Sequence, residues 1–173
     1  RPKGVELTHR NAVGIPYHGV RYLPGVLWGN HVRLLLFLPL AHVYARCLQL
    51  LSLAGEGVLG HTPDVKTLLP DMQSFAPSYV LAVPRVLEKI YNAADAKAGG
   101  GARLKLFRWA AKVAISYSRA LDTPDGPSRR LRQAHTVADR LVFRKIRALL
   151  GPNARFIISG GGPLGQRLGH FYR

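Results

Sequence analysis

Residues 33–40 constrain the fold more than any other segment. After Arg33 the run Leu34, Leu35, Leu36, Phe37, Leu38, Pro39, Leu40 is apolar without alternation. A half-exposed strand alternates apolar and polar residues. An uninterrupted apolar run of strand length instead suits a parallel strand covered on both faces by helices. The most apolar stretch, residues 34–41, falls far short of the roughly 20 residues a membrane-spanning helix needs. Pro39, His42 and Arg46 interrupt any longer apolar run. The segment therefore reads as a buried strand running into a helix over residues 41–54.

The rest of the chain repeats this alternation. Thr8 is the expected N-cap of a helix over residues 9–22, weakened by Gly14, Pro16 and Gly19. A short strand is expected near residues 58–60. Asp64 is expected to cap a short helix reaching about Phe75, kinked near Pro70. Residues 78–83 form a second apolar strand, closed by Pro84, and a helix follows over about 85–98. Gly99, Gly100 and Gly101 break the chain before a helix over 103–121, with Leu104, Phe107, Ala111, Ala114 and Ser118 on one face. A Pro/Gly loop at 122–128 leads to a long basic helix over 129–150, with Leu131, Ala134, Ala138, Leu141 and Ile146 inward. Residues 155–159 read as a further strand, Gly160 to Pro163 as a turn, and Leu164 onward as another helix. Strands alternating with helices predict an α/β fold with a mainly parallel sheet flanked by helices.

Charge adds a second constraint. The chain carries 25 Lys or Arg against 9 Asp or Glu, a net charge of +16. Between residues 96 and 150 there are 13 Lys or Arg and only 3 Asp. Such a surplus attracts anionic partners: phosphorylated ligands, a membrane surface or nucleic acid. Neither a zinc motif nor an aromatic-rich RNA-binding motif is present, so no specific nucleic acid is expected. The single cysteine, Cys47, excludes an internal disulfide and fits a reducing compartment; set in an apolar run, it reads as an inert packed thiol. No secretory signal is visible.

Four short motifs are candidates for chemistry, and the second and fourth stand where ligands bind in open α/β sheets, beyond the carboxyl ends of strands. Arg1-Pro2-Lys3-Gly4-Val5-Glu6-Leu7-Thr8-His9-Arg10-Asn11 places a lysine and a glycine before a helix, where a point charge and free N–H groups can meet phosphate. A plain surface loop fits the same residues. Leu38-Pro39-Leu40-Ala41-His42 brings His42 to a strand end; it suits either a site residue or a core-edge histidine bonded to a backbone carbonyl. Val83-Pro84-Arg85-Val86-Leu87-Glu88-Lys89-Ile90 offers Arg85, which also suits a structural ion pair. Ser159-Gly160-Gly161-Gly162-Pro163-Leu164 lets backbone approach a flat ligand closely, though its spacing is not a dinucleotide fingerprint.

Taken in this order, the four motifs resemble the long-chain fatty acyl-CoA synthetases of the adenylate-forming superfamily, in particular bacterial members of actinobacterial type. The resemblance spans the whole chain, and the basic helices between the third and fourth motifs share in it. It implies an incomplete part of the large N-terminal adenylation domain, with a basic insert at about 96–150. It also implies an AMP-forming fatty acid–CoA ligase using Mg2+ and ATP, long-chain fatty acid and coenzyme A. The chain starts at Arg1 rather than Met, and an internal fragment, inactive and aggregation-prone alone, is expected.

Residue by residue, the resemblance places Lys3 and Gly4 in the phosphate loop and His42 beside the acyl carboxylate and α-phosphate. It places Gly160, Gly161, Gly162 and Pro163 against adenine and the acyl tunnel, with Ser159 adjoining. Arg85 is implied as either a fold element or a contact near the coenzyme A entrance. Gly162 stands where many relatives carry alanine, and Arg46 where some carry an aromatic gate. The Ser/Thr/Gly-rich part of the phosphate loop, the Tyr-Gly-x-Thr-Glu motif whose glutamate holds Mg2+, the ribose-binding aspartate and the C-terminal domain with its lysine are all expected outside these residues. The implied compartment is the cytoplasm, peripheral to the inner face of the plasma membrane. Two other readings stay open: a basic module for an anionic membrane or nucleic acid, and an adenylating enzyme for a different carboxylic acid.

Overall fold

The structure, a computed structural model, describes residues 4–64 and 66–173. Lys3 lies outside them. The elements in chain order are α1 (His9–Tyr22), α2 (Pro24–Leu27), β1 (Arg33–Leu36), α3 (Val43–Ala54), β2 (Val58–His61), α4 (Leu68–Phe75), β3 (Tyr79–Ala82), α5 (Pro84–Lys97), α6 (Ala102–Ala120), α7 (Arg129–Ala138), a π-helical turn (Asp139–Phe143), α8 (Arg144–Leu149), β4 (Phe156–Ser159) and α9 (Gln166–Tyr172).

The four strands form one sheet in the order β2-β1-β3-β4. β1 pairs in parallel with β2, Arg33 opposite Val58 through Leu36 opposite His61, and in parallel with β3, Leu34 opposite Tyr79. Arg155 N–H donates to Ser78 O at 2.9 Å and Gly160 N–H to Ala82 O at 3.3 Å, so β4 runs in the same direction as β3. The two central strands are buried along their apolar residues, as an all-apolar run requires, and the edge strands β2 and β4 are more open.

Contacts divide the chain into two compact units. The first comprises Arg1–Leu81 and Leu150–Ile158. Its core joins Leu34, Leu36, Tyr79 and Leu81 to Leu48 and Leu51 of α3 and Val20 of α1. Thr8 caps α1 through Asn11 in a reciprocal capping box. Pro16 sits buried inside α1, tolerated because tertiary packing offsets its missing N–H. Gly55 admits no other residue: a Cβ there would lie 1.8 Å from Leu27 O.

Three expectations in this unit are corrected. β1 ends at Leu36, not Leu40, because its partner β2 ends at His61 and the chain turns at Pro39, whose carbonyl accepts the His42 N–H at 3.0 Å. The N-cap position of α4 is Thr67 rather than Asp64, and the Thr67 side chain makes no capping hydrogen bond; the Asp64 carboxylate instead accepts the Lys66 N–H at 2.8 Å. Pro70 falls in the first turn of α4, where its missing N–H removes no helical bond and so requires no kink.

The second unit comprises Ala82–Leu149 and Ser159–Arg173. Its core is aromatic and small-residue: Tyr91, Phe107 and Phe171 meet at ring-centroid distances of 5.4, 5.0 and 6.5 Å, packed with Ala110, Ala111, Ala114 and Ala138. Tyr172 donates to Leu87 O at 2.9 Å, and burial pushes its phenol up to about 12. The buried Ser118 hydroxyl lies 3.0 Å from His170 Nδ1. The long basic helix expected over 129–150 is interrupted. Arg144 N–H bonds back to Asp139 O, the i→i+5 bond of a π turn. The inward position after Ala138 therefore falls on Phe143, and Leu141, expected inside, is exposed.

Candidate functional site

In the first unit the carboxyl end of β1 carries His42. It is the N-cap residue of α3, in extended conformation, and its side chain does not cap the helix. Its carbonyl accepts from Arg46 N–H at 3.1 Å. The imidazole is exposed and has no hydrogen-bond partner among the described residues, so it is not the core-edge histidine bonded to a carbonyl. Arg46 is also exposed, its guanidinium donating to Gln49 Oε1 at 2.9 Å. Gly4 is exposed, and a Cβ added there would meet nothing within 4 Å.

The carboxyl end of β2 carries a cluster that none of the four motifs contains. The Asp71 carboxylate accepts from Thr62 Oγ1 at 2.5 Å and Thr67 Oγ1 at 2.8 Å. These bonds hold its carboxyl below the ordinary carboxylate range. The Thr62-Pro63-Asp64 turn after an apolar strand was the available signal. Cys47 packs beside the first core, and burial raises its thiol, consistent with an unreactive side chain.

In the second unit the turn after β4 lies against the start of α5. Gly161 has φ +78°, a conformation that a Cβ disfavours, and a Cβ there would also come within 3.6 Å of Val83. Gly162 is different: a methyl group would make an ordinary contact at 3.9 Å with Pro84, so an alanine would fit. Gly161, Gly162 and Pro163 are exposed, with backbone open to a ligand. Ser159 Oγ is buried and lacks a hydrogen-bond partner among the described residues. Arg85 is exposed in the first turn of α5, and no ion pair engages it among the described residues. The structural ion pair that its sequence position allowed is therefore not formed.

No group of three or more His, Cys, Asp or Glu is placed to hold a metal ion among the described residues. No described helix is long and apolar enough to cross a membrane.

The profile of the AMP-binding enzyme family matches residues 1–173. The chain is 47% identical over 173 residues to the long-chain-fatty-acid–CoA ligase FadD15 of Mycobacterium tuberculosis, covering 100% of this chain and 28% of that protein. It is 35% identical over 179 residues to long chain acyl-CoA synthetase 3 of Arabidopsis thaliana, covering 99% of this chain and 26% of that protein. It is 29% identical over 174 residues to long-chain-fatty-acid–CoA ligase 5 of Rattus norvegicus, covering 99% and 24%. The chain thus spans about a quarter of the length of these relatives. No solved structure matches it significantly.

Proposed function

Because the chain belongs to the AMP-binding enzyme family, we propose that it supplies part of the active site of an AMP-forming long-chain fatty acid–CoA ligase. The observation that carries this reading is the free imidazole of His42 at the carboxyl end of β1. The open, positive-φ turn at Gly161 accompanies it at the end of β4. Relatives named as long-chain-fatty-acid–CoA ligases and long chain acyl-CoA synthetases match over 99% or more of the chain and support the same substrate class.

In the proposed reaction a fatty-acid carboxylate oxygen attacks the α-phosphorus of ATP. The bond from that phosphorus to the bridging oxygen breaks, releasing pyrophosphate and leaving acyl-adenylate. The coenzyme A thiol then loses its proton and attacks the acyl carbonyl, and AMP departs. Negative charge builds on phosphate oxygens in the first step, so aimed donors lower the barrier. His42 is assigned to the carboxylate and α-phosphate, where its protonation state tunes the local field. Gly160, Gly161, Gly162 and Pro163 are assigned to the adenine face and the acyl tunnel mouth, with Ser159 behind them. Lys3 and Gly4 are assigned to the distal phosphates. The free guanidinium of Arg85 suits an anionic contact near the coenzyme A entrance better than a structural role.

Mg2+ would neutralise the phosphates. The described residues offer no ligand cluster for it, and no side chain of the chain is assigned to it. A cytoplasmic location is proposed with this reading, where ATP and coenzyme A are at hand as substrates. The test is ATP–pyrophosphate exchange by the full-length protein with palmitate, benzoate and acetate in parallel. Exchange driven mainly by palmitate supports the reading; exchange driven mainly by either other acid overturns the substrate class.

A further inference from the structure

In the first unit the ligase reading uses the carboxyl end of β1, where His42 stands, and leaves the amino end of the sheet without a role. A cavity of about 430 Å3 opens at that amino end, where the neighbouring strands β1, β3 and β4 begin. Arg33 lines it as the first residue of β1, Ser78 from just before β3, and Asn153, Arg155 and Phe156 from the approach to β4, together with His31. No Asp or Glu lines it among the described residues. No ion pair engages Arg33 or Arg155 among those residues.

Surface arginines are ordinarily just solvated; Arg33 is instead held in place. Its carbonyl accepts the Ser78 N–H at 3.0 Å, and its own N–H donates to Ser78 Oγ at 2.9 Å. The Ser78 hydroxyl donates back to Arg33 O at 3.3 Å. The Arg33 side chain is half-buried: Nε donates to Phe75 O at 3.0 Å, and the guanidinium lies over the Phe75 ring, 4.4 Å from its centroid. The two outer nitrogens of the fork are left without a partner among the described residues. Arg155 is anchored through its backbone, whose N–H donates to Ser78 O at 2.9 Å, while its side chain is exposed and unpaired among the described residues. A guanidinium already fixed by its surroundings loses little conformational freedom when an anion binds.

We propose that this cavity binds a small phosphorylated ligand, a phosphate monoester carried on a flat apolar group. The planar forks of Arg33 and Arg155 match the oxygens of a phosphate dianion, and a dianion repays two unpaired cations better than a single carboxylate does. The Asn153 amide and the His31 ring supply further polar contacts. Phe156, 45% exposed, adds an aromatic surface for the apolar group. The proposal is independent of the ligase reading, since none of these residues belongs to the assigned site.

The experiment is calorimetric titration of the full-length protein with phenyl phosphate, inorganic phosphate and benzoate. The proposed active site is first filled with a non-hydrolysable palmitoyl-adenylate analogue. Failure of that analogue to bind would count against the ligase reading alone, because the variants below still read the cavity. The expected result is that phenyl phosphate binds more tightly than either other probe. R155Q should weaken phenyl phosphate on the order of tenfold, the worth of a charge-assisted contact. R155K, which keeps the charge but not the fork, should restore part of the loss. F156A should bring phenyl phosphate down to the level of inorganic phosphate. R155Q should keep wild-type circular dichroism and wild-type pyrophosphate exchange. Absence of phenyl phosphate binding, the outcome if another segment of the full-length protein fills the cavity, would overturn the proposal. So would binding unchanged in R155Q, phenyl phosphate binding unchanged in F156A, or tighter binding of benzoate than of phenyl phosphate.

Discussion

Phe143 follows Ala138 by five residues, and both side chains are buried in the same aromatic core, while Leu141 between them is exposed. An uninterrupted α-helix would bring residue 141 or 142 inward after Ala138. The π turn lengthens that step by one residue. Phe143→Ala should therefore destabilise the second unit by about 3–5 kcal/mol, whereas Leu141→Ala should stay within about 0.5 kcal/mol. Hydrogen exchange of the α6–α8 amides in the full-length protein reads both. Equal effects would contradict the π register.

In the first unit the Ser52 hydroxyl and the Tyr79 phenol lie 3.2 Å apart, each 1% exposed. The pair satisfies two polar groups in a core otherwise built from aliphatic side chains. Tyr79→Phe leaves Ser52 without this partner and should cost about 1–3 kcal/mol; adding Ser52→Ala should recover part of that loss. Urea unfolding of the single and double variants checks it. A double variant no more stable than Tyr79→Phe would show that the bond is not what the serine contributes.

The glycines of the turn after β4 should not be equivalent. Gly161→Ala forces an L side chain to φ +78° and should cost about 1–2 kcal/mol while reducing adenylation. Gly162→Ala finds ordinary contact with Pro84 and should leave melting temperature and activity nearly unchanged. Reversal of that order would contradict the turn geometry.

His135 stacks on Tyr117, with ring centroids 4.0 Å apart, and lies 5.4 Å from Phe143. Burial lowers its pKa from the ordinary 6.5, Asp139 opposes that shift, and Arg147 adds to it. The unfolded chain thus binds the proton first as pH falls. The stabilisation is complete above about 6.5 and is lost as pH falls through the lowered folded value. The carboxylates of Asp71, Asp95 and Asp139 are also lowered, from 3.8, so their contribution is lost in a separate, more acidic window. His135→Phe keeps a ring in the stack and should flatten the stability profile just below pH 6.5 without changing the more acidic loss. An unchanged profile there would exclude His135 as its source.

The parallel sheet was legible because the leucines after Arg33 do not alternate, and Thr8 and Pro84 marked helix starts correctly. The end of β1 was not, because strand length depends on how far β2 extends beside it. The π turn was equally hidden: Leu141 and Phe143 both satisfy an apolar pattern, and packing of Phe143 beside His135 in the second core decides between them. The positions of His42 and the Gly160–Gly162 turn were legible from the apolar strands before them. The burial and missing partner of the Ser159 hydroxyl were not legible, nor was the closing of Thr62 and Thr67 onto Asp71, since both depend on what the fold brings around them.

The central claim is most directly tested by palmitate-dependent ATP–pyrophosphate exchange in the full-length protein and its His42→Ala variant. Loss of one positioned donor from a phosphoryl- or acyl-transfer site lowers turnover on the order of 100-fold. A fall of that size, with wild-type circular dichroism and with the isolated 173-residue chain inactive, is the result expected. Wild-type exchange by the His42→Ala enzyme would contradict the assignment of His42 to the reacting carboxylate and phosphate.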